Sequence, residues 1–133
     1  MKKRVSLLLT VLFMTILLLM PMTGQAATYR ASIGQKKYTS IQKAIDAVKD
    51  GETITLLRNT STTKSVTIDK KDLSFTIDLN EKSYSYTGDD TAFLIKAGSI
   101  TFKNGTVSVS GRIMEVKASA KAVIASGSYN GYF

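Results

Sequence analysis

Short β-rich segments recur along residues 54–124 at a nearly fixed interval, and this recurrence constrains the fold more than any other feature of the chain. Ile54 and Leu56 are followed by Ile77 and Leu79, then Ile100 and Phe102, then Ala122 and Ile124, at steps of 23, 23 and 22 residues. A period of that size marks a solenoid, in which no repeat can bury its apolar face except against the repeats beside it. A second ladder leads from Tyr84 and Tyr86 to Val107 and Val109, and from Val107 to Tyr129. A third pairs Val66 and Ile68 with Phe93 and Ile95, if an extra loop over 87–91 is allowed, and these with Met114 and Val116. The expectation is an all-β chain, a short parallel β-helix of about four coils with three strands in each.

Side chains alternate across a strand, so the residues between ladder positions should face outward. Thr53, Thr76 and Ser99 do so beside the first ladder, and Ser85, Ser108 and Asn130 beside the second. Tyr84, Tyr86 and Tyr129 hold inward positions and read as packing. Asn104-Gly105 and Ser126-Gly127 lie 22 residues apart and mark successive corners, where Asn104 and Ser126 should stack and bond to each other's turns.

A different unit precedes the coils, over 27–51. Residues 29–38 read as a hairpin turning near Gly34-Gln35. Thr39-Ser40-Ile41-Gln42 fits a capping box, with Thr39 as N-cap and Gln42 reaching back to its amide. Ile41, Ala44, Ile45 and Val48 then lie on one helical face, and Gly51 is expected as the C′ residue. Such a helix would cover the core at the open end of a solenoid. The coils would occupy 52–133.

Before all of this, Lys2, Lys3 and Arg4 precede an apolar run over 7–20 that Pro21 breaks ahead of Gly24-Gln25-Ala26. That order is expected of a secretory signal peptide, residues 1–26, cleaved near Ala26 and leaving no stable membrane span. The remainder carries 15 basic and 10 acidic side chains with no long run of one sign, which argues against a specific nucleic-acid partner. The chain has no Cys and no His, which excludes disulfides, thiol chemistry, imidazole metal sites and His-based triads. Packing alone must hold it.

Residues 38–57 are similar to the opening segment of secreted bacterial proteins with a pectate-lyase-like, right-handed parallel β-helix. Ile77-Asp78-Leu79-Asn80 and residues 99–106 resemble the coil repeats of the same proteins. The resemblance implies a right-handed coil and a secreted or cell-surface location. It leaves the role open among polysaccharide lyases and hydrolases, adhesins and other surface proteins. Those enzymes have longer grooves with carboxylate, Lys and Arg site residues, and this chain is short beside them.

Candidate chemistry is sparse. Asp78 faces outward, with Thr55 and Thr101 expected as its neighbours one coil away and no second acid to complete a glycosidase pair. Asp89 and Asp90 form a loop pair that could hold Ca2+ with carbonyl help. The hydroxyls of Thr53, Thr76 and Thr101 make an array that could match sugars, although Asp78, Lys103 and Lys121 interrupt any repeat regular enough for ice. Tyr132 and Phe133 are expected to be exposed where the last coil shows no cap, Tyr132 as a ring for contact with sugars, beside an edge suited to self-association. The leading expectation is a non-enzymatic surface-association module whose partner is cell-wall or extracellular polysaccharide. The alternative is a remnant polysaccharide lyase or a carbohydrate-binding domain.

Overall fold

A computed structural model describes residues 28–133. The expected signal peptide and its cleavage point near Ala26 lie outside these residues. Among them the order is β1 (Ala31–Ile33), β2 (Lys36–Tyr38), α1 (Ile41–Ala47), β3 (Thr53–Leu56), β4 (Thr60–Thr62), β5 (Val66–Asp78), β6 (Ser83–Tyr86), β7 (Phe93–Lys103), β8 (Thr106–Arg112), β9 (Met114–Val116), β10 (Ala120–Ile124) and β11 (Ser128–Tyr132). They wind into a β-solenoid of about 3 turns. No helix among the described residues is long and apolar enough to cross a membrane.

Three walls enclose the core. The first stacks β3, the second half of β5, the second half of β7 and β10 in parallel. The second stacks β4, β6, β8 and β11, also in parallel. The third is made by the first halves of β5 and β7 with β9. The count of about four coils expected from the repeat is therefore corrected to about three turns. Four strands stacked in one wall are joined by three windings.

The ladders point inward as expected. Ile54, Ile77, Ile100 and Phe102 are all fully buried, as are Ile68, Phe93 and Ile95 of the third wall. Each such side chain contributes about 1.5–3 kcal/mol. Tyr84, Phe93 and Phe102, one from each wall, meet in the middle with ring centroids 5.0 and 5.2 Å apart.

One register differs from the constant period. Ile77 stands beside Phe102, and Ile100 beside Phe75, so the first-wall offset is 25 residues here where the sequence suggests 23. The corners explain it. Four residues, Leu79 to Lys82, link β5 to β6, whereas Asn104 and Gly105 alone link β7 to β8. Likewise Asp69 and Ser74 in β5 stand opposite Ala97 and Ser99 in β7, so β5 bulges out between them. Extra residues leave the solenoid at bends, and the walls stay aligned.

The helix also departs from expectation at both ends. Ser40, with φ −149°, is the N-cap, and its hydroxyl accepts from the Lys43 amide at 3.2 Å. Gln42 does not reach back to Thr39, because its side-chain amide makes two bonds to Thr67 on β5 instead: Nε2 donates to the Thr67 carbonyl at 2.9 Å and Oε1 accepts from the Thr67 amide at 2.8 Å. Val48 already turns extended, so Gly51 is not a C′ residue. Its φ of +77° instead aims its N–H at the Ser74 carbonyl, 2.7 Å away.

Ile41, Ala44 and Ile45 of α1 are buried over the first coil. Beside it, β1 lies antiparallel to both β2 and β3 and so extends the first wall beyond its parallel part. At the far end Val116, Val123 and Ile124 are 42%, 37% and 40% exposed, with Tyr132 and Phe133 more so.

Candidate functional site

The outer surface of the first wall gathers most of the residues singled out from sequence. Thr53, Thr76 and Thr101 stand in one row across β3, β5 and β7. Strands in a sheet lie about 4.8 Å apart, which sets the spacing of those hydroxyls. Thr55, Asp78 and Lys103 form the next row. The expected neighbour of Asp78 on the β7 side, Thr101, is thus replaced by Lys103. The corrected offset of that wall is the cause.

Lys103 Nζ lies 3.6 Å from Asp78 Oδ2. The same carboxylate accepts from the Asn80 amide at 2.8 Å and from Asn104 Nδ2 at 3.2 and 3.3 Å. Asn80 and Asn104 both adopt left-handed backbone, φ +52° and +59°, which asparagine tolerates better than most residues. Asn80 Nδ2 in turn donates to the Leu56 carbonyl at 3.1 Å. Asn104 takes a bond from the Ser126 hydroxyl at 3.1 Å and gives its own amide to that oxygen at 3.0 Å. Asp78 is therefore the middle of a polar ladder that ties successive corners together. The Asn104–Ser126 part was legible from their spacing. Asn80 was missed, although the Asp78-Leu79-Asn80 order with a following corner carried the signal.

Other candidates lie apart from this face. Tyr132 is on β11 in the second wall, 73% exposed, and does not join the threonine row. Asp89 and Asp90 lie in the corner between β6 and β7. Asp90 Oδ1 accepts from the Thr91 amide at 2.8 Å, and the Asp90 amide donates to the Tyr86 hydroxyl at 3.3 Å. Among the described residues no group of three or more His, Cys, Asp or Glu side chains comes together in a way that could hold a metal ion.

Three ionisable groups are shifted by clear causes, among them the Tyr129 phenol, which burial raises above its ordinary value. A hydrogen bond from Lys117, then the charges of Lys117 and Arg112, hold the Glu115 carboxyl below its ordinary value. Burial, and secondarily Tyr86, push the Tyr84 phenol well above the ordinary tyrosine value. None of the three lies on the threonine face.

Stacked parallel rungs, three walls and a helix over one end define a short β-solenoid. No family model matches the chain, and neither the curated proteins nor the solved structures provide a match.

Proposed function

We propose that the chain is a secreted, non-enzymatic β-helix module that associates with cell-wall or extracellular polysaccharide through the outer face of its first wall. The observation that carries this reading is the in-register row Thr53, Thr76 and Thr101 on one continuous sheet. Each hydroxyl can donate once and accept twice, as a sugar hydroxyl does, so a flat row of them can exchange bonds along an extended glycan. The occupation of Asp78 by Lys103, Asn80 and Asn104 supports a structural role for the one acid on that face. Residues 1–26 support export. Right-handed winding is supported by the strong bias of parallel crossovers toward that hand and by the pectate-lyase-like look of residues 38–57. Antiparallel β1 and β2 read as an N-terminal hairpin cap. The exposed Val116, Val123 and Ile124 support pairing of two copies at that end.

The test is retention of the protein on washed bacterial cell walls and on immobilised polysaccharides, with Thr76→Lys and Thr101→Lys variants checked for folding by circular dichroism. Retention that these variants lower is expected, and no retention on any polymer would overturn the reading. Release of unsaturated sugar by the wild type, lost in a folded Asp78→Asn variant, would replace it with a lyase.

A further inference from the structure

The two ends of the solenoid's walls are closed differently. Among the described residues the first wall continues past β3 onto β1 and β2, whereas the second stops at β4, its edge strand. Helix α1 covers the interior but not that edge. A cleft of about 500 Å3 is left between the start of α1 and β4.

Arg30, Lys43 and Lys64 line this cleft, and no carboxylate does. The ion pairs among the described residues join Lys103 to Asp78 and both Arg112 and Lys117 to Glu115, so none of the three cleft cations has an acidic partner there. Lys43 Nζ donates only to a neutral group, Thr39 Oγ1, at 3.1 Å. Asp46, the acid on α1, accepts from Gln42 Nε2 at 3.0 Å. Three cations around one hollow repel each other, and an anion seated among them would relieve that repulsion.

The cleft also reaches Tyr84, which is 1% exposed. Among the described residues no buried side-chain oxygen or nitrogen is left without a partner, and the Tyr84 hydroxyl, at the cleft wall, can bond to a sugar oxygen. Ser61 and Thr62 on the rim add further hydroxyls.

We propose that this cleft binds an acidic glycan, seating a sugar-borne oxyanion, carboxylate or phosphodiester, among Arg30, Lys43 and Lys64, with the sugar hydroxyls bonded to the β4 rim and Tyr84. This rests on the polysaccharide reading above and names the class of polymer. A peptide fits less well, because adding a strand to a sheet needs a long edge and β4 has 3 residues.

The test measures binding of the full chain by calorimetry to an oligouronate, a short poly(glycerol phosphate), a neutral oligoglucan and oligoglutamate. Expected is binding to at least one acidic glycan that weakens about tenfold or more in Arg30→Gln/Lys43→Gln/Lys64→Gln. A second groove, beside the β5 bulge, is lined by Lys71, Lys96 and Lys121, and the charge-matched variant Lys71→Gln/Lys96→Gln/Lys121→Gln there should change binding by less than about twofold. Preference for the uronate identifies a carboxylate seat, and preference for the phosphate polymer a phosphodiester seat. Lys64→Gln alone, at an exposed position, weakens binding in a chain whose folding is not in question. Equal weakening in both triple variants would mean diffuse attraction and overturn the proposal, as would tighter binding of oligoglutamate. No acidic-glycan binding beside retention on a neutral polymer would overturn the cleft and leave the threonine face standing. No binding to any polymer would overturn both.

Discussion

Replacing Phe102 with alanine tests whether the stacked rungs hold the molecule together. Phe102 is fully buried, stands between Ile77 and Ile124 in the first wall, and meets Phe93 at 5.2 Å with the rings inclined by 69°. Truncating a buried Phe costs about 3–5 kcal/mol, because the neighbours close only part of the cavity. Here they are pinned by strand hydrogen bonds on both sides, and loss of the edge contact to Phe93 adds about 0.5–1.5 kcal/mol, so the upper part of that range applies. A domain this size is stable by about 5–15 kcal/mol. With a urea dependence of about 2 kcal/mol per M, the unfolding midpoint should fall by about 2 M. Ile124→Ala is the internal comparison: it occupies the same ladder one rung on, but is 40% exposed and should cost about 1 kcal/mol. Outward Ser108→Asp should change stability by less than about 0.5 kcal/mol. Urea titration followed by far-ultraviolet circular dichroism reads all three. Equal midpoint shifts for Phe102→Ala and Ile124→Ala would refute the rung-by-rung account. A double-mutant cycle tests the register: Ile77→Val should couple to Phe102→Leu by about 0.5 kcal/mol or more, and stronger coupling to Ile100→Val would restore the constant 23-residue offset.

Two further outcomes follow from the corner ladder and the buried phenol. Asn104→Ala loses the side-chain bonds to Asp78 and Ser126 and leaves at φ +59° a residue that tolerates left-handed backbone less well than asparagine, so a loss of about 2 kcal/mol is expected; Asn104→Gly, free of the backbone strain, should lose less, and equal losses would show that strain plays no part. For Tyr84, whose folded pKa lies above its ordinary value of 10.0, the native state keeps its proton while the unfolded chain releases it. Stability is therefore full below about pH 10 and declines as pH rises above it; Tyr84→Phe should flatten that decline in urea titrations from about pH 9 to about pH 11, and an unchanged slope would mean that another group carries it.

The solenoid was legible in the sequence because its signal is redundant. Burial of Ile54, Ile77, Tyr84, Phe93, Ile95 and Val107 follows from alternation and recurrence, and several ladder positions agree with one another. The register between Ile77 and Phe102 was not legible, because a constant period has no way to place the extra residues of the Leu79–Lys82 corner or of the β5 bulge. The helix cap failed for a related reason. Thr39 and Ser40 are both good caps, and the choice turned on a distant partner, Thr67, that claimed the Gln42 amide. For the candidate sites, the outward placing of Thr53, Thr76 and Thr101 could be read from one strand at a time, but their shared row could not, since the constant period set Ser99 beside Thr76 where Thr101 stands. The cleft could not, since Arg30, Lys43 and Lys64 lie on three separate segments and carry no motif.

Where binding capacity arises in this molecule follows from how a solenoid must end. Each inner rung satisfies its strand edges with the rung beside it, so the walls have no unmet hydrogen-bonding groups to offer and present only their outward side chains. An end must be closed, and the closures available to one chain are unequal: a helix covers the apolar interior, while antiparallel strands satisfy one wall's edge. With three walls and one pair of capping strands, two edges are left over among the described residues, and the Gln42 amide meets one of them at Thr67 on β5. The other is β4, whose second-wall partner among the described residues lies on the β6 side alone. A short polar edge beside a helix start will tend to collect hydroxyls and charges, because apolar side chains there would be exposed. The cap that makes the fold stable at that end also creates the hollow in which Arg30, Lys43 and Lys64 meet. Extending β4 so that α1 packed directly against it would strengthen the cap and abolish the cleft, which places stability and ligand binding in opposition at this one corner of the molecule.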